Sequence, residues 1–469
     1  MTEMNENPLD ILPEVLLAGS AVIGLLIGAW LPRTRQWLVG ALALAACAAG
    51  IVVAVTASST TAFGGAFAVD PVTTTSRIVI LGGTLVVLAL NVAPLRGNPR
   101  ESEFYVLLQL AVLGALMLAG AHDLLLLAAA YLLASVPSYV LAGFRKDSPG
   151  TEAALKYYVV GALLGILLLT GVTMLYAAGR GTSYPVLRTE LPHGSPGLAA
   201  VGIVAVLAGL LFKAGGVPGH FWVPDAVQGS TAPVAAFLTT LPKIGALAAL
   251  YRLGAEVLVG TDVPWAALVA VLSAASMTLG NFAAFFQQDV KRLLAYSTIS
   301  QVGYLLMPVA VAGRADLAQQ ALLFYVAGYA LTNLGAFAVV CALPALEVID
   351  DYRGLAHRRP ALVGALIVCL LGLVGTPPTA VFLGKLEAFS AAFDGGYAWL
   401  AVVAAVNTVA SLFYYLRWIA PTVLRAESER PHKTILPAAA TAYGAATCSV
   451  ALGLAGGPVL PLLQGSLIR

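Results

Sequence analysis

About fourteen stretches of roughly twenty apolar residues follow one another along this chain, and that recurrence decides what it can fold into. They fall near 11–31, 37–57, 77–94, 104–121, 124–144, 153–178, 197–216, 234–252, 264–287, 292–312, 317–343, 361–390, 397–420 and 434–464. A hydrocarbon layer about 30 Å thick takes about 20 helical residues to cross, so each run is long enough to be a membrane span. The last run has a break at GGPVLP and can end near Leu454. Charged residues make up 10% of the 469, against about 25% in soluble domains, which removes the soluble globular classes. No stretch reads as a basic nucleic-acid surface. Cys47, Cys341, Cys369 and Cys448 all sit in apolar runs without metal-site spacing and read as small buried hydrophobes. The opening MTEMNENPLD lacks the basic region of a cleaved signal peptide, so the first run is expected to stay as a span.

Basic residues in short loops orient such a chain. Alternate connections hold Arg33, Arg35, Arg96, Arg100, Arg145, Lys146, Lys156, Lys291, Arg292, Arg353, Arg358, Arg359, Arg417, Arg425, Arg430 and Lys433. The other side holds only Arg77, Arg180, Arg188, Arg252, Arg314 and Arg469. The asymmetry places both termini on the non-cytoplasmic side. The remaining three of the 25 basic residues, Lys213, Lys243 and Lys385, lie inside spans.

A lysine within an apolar span costs roughly 2.5–3.5 kcal/mol on insertion scales, so such residues point to an ion path. Lys213 and Lys243 flank a segment, 217–233, rich in Gly, Pro and polar residues and free of Lys and Arg, which reads as a loop folded into the membrane. Lys385 lies in a second run interrupted by Gly375, Pro377 and Pro378. Broken backbone is tolerated at membrane depth only where protein or a watery cavity covers it. Two broken runs suggest inverted repeats, with spans 4–8 and 9–13 as the two copies. His220, Tyr296, Ser297, Ser300, Gln301, Thr332 and Asn333 are candidates to bridge between lysines, and Asn281, Asn333 and Asn407 also suit interhelical hydrogen bonding.

Several segments together resemble a known family. They are LPEVLLAGSAVIGLL near the start, EFYVLLQLAVLGALMLAGAHDLLLL (103–127), TEAALKYYVVGAL (151–163) and FKAGGVPGHFWVPDAVQGSTAPVAAFLTTLPKIGAL (212–247), then DVKRLLAYSTISQVGYLL (289–306) and DDYRGLAHRRP (350–360). They resemble the antiporter-like membrane subunits of respiratory complex I, most closely subunit N. The resemblance implies proton translocation through Lys213, Lys243 and Lys385, with His220 near them and a further role for Lys156. Asp225 is expected to orient the loop rather than carry protons. At 301 the chain has Gln where related subunits often have His. It also departs at Leu132, where the family pattern on span five has a glutamate expected to pair with Lys213.

The expected architecture is an all-α polytopic membrane protein of about fourteen spans. It has three N-terminal helices (1–103), a first antiporter-like repeat (104–252), a second (264–420) and a C-terminal helix (421–469), with helices 7 and 12 discontinuous. The resemblance implies a subunit that does no redox chemistry and holds no cofactor or metal. NADH, FMN, Fe–S clusters and quinone would belong to partner subunits, among them a second antiporter-like subunit and small membrane subunits, with lipids around. The location implied is the bacterial plasma membrane. A cation/proton antiporter subunit, or a scaffold that does not pump given Leu132, are the alternatives.

Overall fold

The computed structural model describes residues 8–425 and 433–468; Arg430 and Arg469 of the topology reading fall outside the described residues. The helices are α1 Leu12–Trp30, α2 Trp37–Thr56, α3 Pro71–Leu95, α4 Glu101–Gly120, α5 Leu124–Ala142, α6 Ser148–Gly179 and α7 Tyr184–Glu190. They continue with α8 Pro196–Ala214, α9 Trp222–Gly229, α10 Ala232–Glu256, α11 Trp265–Ala284, α12 Val290–Ala310 and α13 Ala318–Ala342. The last are α14 Leu355–Arg358, α15 Pro360–Val374, α16 Ala380–Asp394, α17 Ala398–Val423, α18 Leu436–Leu454 and α19 Gly456–Val459.

Among the described residues twelve helices are long and apolar enough to cross a membrane. A thirteenth span is α18, which bends by 75° at the expected break near Leu454 into Gly456–Leu463. The fourteenth run is divided between α15 and α16. Among the described residues the one departure from an all-helical reading is a small antiparallel hairpin, β1 Thr60–Ala62 with β2 Phe67–Val69. Its Phe67 bridges to Ala121, so it caps the far ends of α3 and α4.

Aspartates set where several spans begin. Asp70 accepts from the backbone N–H of Val72 and Thr73, Asp123 from Leu125 and Leu126, Asp147 from Gly150 and Asp289 from Arg292. Each satisfies amides that a helix start leaves unpaired. The cap at Asp70 starts α3 six residues before the apolar run, and this places Arg77 inside the helix rather than in a loop.

At the centre of the bundle, α10, α12 and α13 are buried on nearly all sides, while α1, α2, α6 and α17 turn apolar ridges outward. On α17 the outward ridge is Val402, Val406, Val409 and Phe413. A helix surrounded by other helices can carry polar groups that lipid would not tolerate, and α10 carries Thr239, Thr240, Lys243, Arg252 and Glu256. Cys47, Cys341 and Cys369 are buried as expected, and Cys448 is exposed on α18.

Candidate functional site

The site is built around two helix breaks of the same design. Helix α8 ends at Ala214 because Gly215 takes φ +77°, and the N–H groups of Gly215 and Gly216 fold back onto the carbonyl of Leu211. Helix α15 ends at Val374 because Gly375 takes φ +91°, and the N–H groups of Gly375 and Thr376 fold back onto Leu371. A left-handed residue with paired back-bonds is the usual way a helix stops at glycine. The chain then resumes in α9 and α16. The half-helices α8 and α15 enter the bundle from opposite ends, α15 from the end that holds Arg358 and Arg359.

Each break presents a carbonyl to a buried ammonium. Lys243 Nζ on α10 donates to the Ala214 carbonyl at 2.7 Å and lies 5.5 Å from the Trp222 ring centroid. Lys385 Nζ on α16 donates to the Val374 carbonyl at 2.9 Å and to Thr408 Oγ1 at 3.4 Å, and lies 3.9 Å from the Tyr304 ring centroid. Helix C-termini carry partial negative charge, and in broken transporter helices they coordinate cations. Lys213 lies one residue before the first break and turns to α5, where it donates to the Ala134 carbonyl at 2.7 Å and Ser135 Oγ at 3.2 Å. All three side chains are buried, and among the described residues none is in a salt bridge.

Polar groups run from Lys243 to Lys385. Thr239 stands one turn from Lys243 on α10, and Tyr329 Oη donates to its carbonyl at 2.7 Å, with Thr298 Oγ1 3.2 Å from the same hydroxyl. One turn along α13, Tyr325 Oη donates to Gln301 Oε1 at 2.8 Å, and Gln301 Nε2 donates to the Leu373 carbonyl at 2.8 Å. Leu373 is the neighbour of Val374, where Lys385 binds. Asn333 supports the α10 side by donating to Thr239 and Thr240. These hydroxyls and amides can each exchange hydrogen bonds with one another or with water.

The other expected residues fall to either side. His220 is half-buried in the first break, its ring 4.3 Å from that of Phe221, and no hydrogen bond to a lysine is found among the described residues. Lys156 is set apart from the buried lysines: about half exposed on α6, it pairs with Glu152 at 2.8 Å and with Asp225 at 3.0 Å. Asp225 also takes Arg292 at 2.7 Å, so it pins α9 to α6 and α12, the orienting role expected of it. Ser297 bonds Tyr415, Thr332 bonds Ser449, and Tyr296 lies beside Arg292. Asn281 donates to the backbone and side chain of Asn407 and so joins α11 to α17. Leu132 is 45% exposed at the edge of the buried face of α5, and Lys213 is held by Ser135, one turn on.

Two arginines assigned to loops are instead completely buried. Arg77 pairs with Glu14 at 2.7 Å, and Arg252 pairs with Asp70 and Glu256 at 2.8 Å each. His122 completes the second cluster, its Nε2 2.7 Å from Glu256. The signal that would have found them is a charge one or two turns inside the end of a span, matched by an opposite charge similarly placed on another.

Residues 121–411 match the family described as NADH:quinone oxidoreductase/Mrp antiporter, TM. NADH-quinone oxidoreductase subunit N 1 of Streptomyces griseus is 53% identical over 99% of each chain. The chain belongs to this family. It is an antiporter-like membrane subunit of the complex I type. NADH-quinone oxidoreductase subunit N of a Mycobacterium species is 52% identical, over 97% of this chain and 98% of that one. A chain of respiratory complex I from Thermus thermophilus superposes on this antiporter-like subunit with a TM-score of 0.84 at 35% identity, covering 96% of this chain and 99% of that one. The Mrp complex from Dietzia shares the fold, with a TM-score of 0.84 at 23% identity, over 97% of this chain and 96% of the other.

Proposed function

We propose that this antiporter-like subunit translocates protons in the membrane arm of a complex I-type NADH:quinone oxidoreductase, along the file from Lys213 and Lys243 to Lys385. The observation that carries the reading is the pair of ammonium groups on the C-terminal carbonyls of two broken helices, with the hydrogen-bonding side chains of Tyr329, Tyr325 and Gln301 placed between them. A buried lysine exchanges its proton when its surroundings change, whereas arginine stays charged, and this suits lysine to the task. A charge at Lys243 and a charge at Lys385 each repel a proton entering the file, so proton occupancy at one biases the other.

Electron transfer from NADH to quinone, with FMN and Fe–S clusters, belongs in this reading to partner subunits, and this chain contributes no redox group. Its neighbours are other membrane-arm subunits, including a second antiporter-like one. The relatives named as NADH-quinone oxidoreductase subunits support that assembly, bacterial relatives support a place in the plasma membrane, and the uneven spread of Lys and Arg over the loops supports both termini outside the cytoplasm. The two breaks support a division into inverted repeats at 104–252 and 264–420. Lys213 and Lys243 replaced by Ala in the purified complex test the function directly. Full proton translocation in both variants would contradict it.

A second reading, a subunit that holds the complex together without pumping, is favoured by one observation: Lys213 is bonded by a carbonyl and a hydroxyl, with no carboxylate from α5. Sodium-dependent transport would instead favour a cation/proton antiporter.

A further inference from the structure

At the end of the bundle away from the basic loops, four ionisable side chains meet out of contact with solvent. Arg252 on α10 donates through Nη1 and Nη2 to Asp70 at 2.8 Å each and through Nη1 to Glu256 at 2.8 Å. Glu256 Oε2 lies 2.7 Å from His122 Nε2, an ion-pair contact outside hydrogen-bond geometry, and His122 Nδ1 lies 2.9 Å from the Gly65 carbonyl in the turn of the hairpin. Tyr184 of α7 faces the imidazole at 5.4 Å between ring centroids, with its hydroxyl buried and unbonded. Asp123, next in the chain, turns away to cap α5 and accept from Thr182.

The geometry counts the protons. Gly65 offers a carbonyl oxygen, which only accepts, so Nδ1 carries a hydrogen. A neutral imidazole then has none left at Nε2, and its lone pair would face an ionised carboxylate oxygen at 2.7 Å inside the protein. The contact is attractive only when the pair carries one further proton, whichever of Nε2 and Oε2 holds it. With that proton the cluster of Arg252, Asp70, Glu256 and His122 is neutral. Without it the cluster holds one buried net negative charge. Burial alone pulls the imidazole down, but the close Glu256 carboxylate and the Gly65 carbonyl outweigh it against the opposing Arg252, so His122 is held above the ordinary histidine value.

Beside the cluster an open pocket of about 670 Å³ is lined by Tyr251 and Ala255, on the adjoining stripe of α10, and by Gln319, Gln320 and Gln464. We propose that the His122–Glu256 pair is the proton-release station of this subunit, holding one exchangeable proton on Nε2 or on Oε2 and delivering it to water in that pocket. The proposal rests on the lysine file acting as a proton path. On release, the proton passes from the pair to water, His122 keeps its Nδ1 hydrogen on Gly65, and the cluster is left with one net negative charge. That charge draws the next proton from the Lys243 side of α10, about 20 Å away at 1.5 Å per residue, through water.

The test uses the intact complex in sealed proteoliposomes with NADH and quinone, comparing wild type with His122→Gln, Glu256→Gln and Lys243→Ala. The expected result is that His122→Gln and Glu256→Gln assemble and oxidise NADH. Protons moved per NADH should fall by at least half the deficit that Lys243→Ala causes, and release should lose its dependence on the pH of the receiving side. An unchanged ratio and pH profile in both, alongside a deficit in Lys243→Ala, would overturn the station and leave the path standing. No deficit in Lys243→Ala would overturn the path itself. For a case where the variants do not assemble, infrared difference spectra of wild type carrying ¹⁵N-histidine give the answer. An imidazole band that changes during turnover supports the station, and a static one contradicts it.

Discussion

The ammonium of Lys243 sits on the carbonyl of Ala214, the last residue of a half-helix that stops inside the bundle, at 2.7 Å. Lys385 does the same at Val374, the last residue of the second half-helix, at 2.9 Å. The two lysines come from different places in the chain, one from the helix that follows the break and one from the resumed helix itself. What the two breaks share is therefore the carbonyl site, and the lysine that fills it differs. Lys213 lies within the first break's own run yet serves α5 instead.

Gly215 is fixed by two independent constraints, its left-handed φ of +77° and a Cβ position only 2.3 Å from Lys243 Nζ. Gly215→Ala should cost about 1–2 kcal/mol from backbone conformation alone and displace the ammonium from Ala214. The expected outcome is an assembled complex with normal NADH oxidation and a clear fall in protons per NADH. Normal pumping would show that the Ala214–Lys243 bond is dispensable.

Leu132→Glu puts a carboxylate one turn from Ser135, which bonds Lys213. The new carboxylate would offer the Lys213 ammonium a charged partner on α5 in place of the hydroxyl and carbonyl that now hold it. If the absent acid limits pumping, the variant should raise protons per NADH. An unchanged ratio would mean that Ser135 and Ala134 suffice.

The Arg77–Glu14 pair ties α3 to α1 with both groups buried. Removing one partner of such a pair costs about 3–5 kcal/mol, whereas replacing both by apolar groups of similar volume is often neutral. Arg77→Met alone should lower the thermal stability of the complex, and Arg77→Met with Glu14→Leu should recover most of it. Equal loss in the single and double variants would show that the pair is not the source of the stability.

Gln301 both accepts from Tyr325 and donates to the Leu373 carbonyl, and a neutral histidine has one acceptor and one donor to do the same. Gln301→His should assemble, keep proton translocation and acquire a pH dependence near the histidine range, because the relay then holds a titrating group. Gln301→Leu should leave both partners unpaired and slow translocation. The same rate in the leucine variant would remove Gln301 from the path.

Span number, the two interruptions and the three buried lysines were legible in the sequence because lipid imposes them: apolar length, absence of charge and Gly/Pro breaks leave local marks. The lysines' partners were not. Ala134, Ala214 and Val374 act through backbone carbonyls, which carry no sequence signal, and Tyr325 and Tyr329 read as ordinary apolar-run residues until α13 is seen packed between α10 and α12. The runs misplaced Arg77 and Arg252 for a related reason. Hydropathy trims a helix at its first charge, but a charge with a buried partner stays inside it, as Arg77 with Glu14 and Arg252 with Asp70 and Glu256 show. The hairpin at 60–69 went unseen because two strands of three residues are too short for a period to appear.

The measurement that bears most directly on the lysine file is the number of protons moved per NADH oxidised by the purified complex in sealed vesicles, with Lys243→Ala set against wild type. The expected result is an assembled complex whose NADH oxidation persists while the ratio falls well below the wild-type value. A Lys243→Ala complex that pumps at the wild-type ratio would contradict the account.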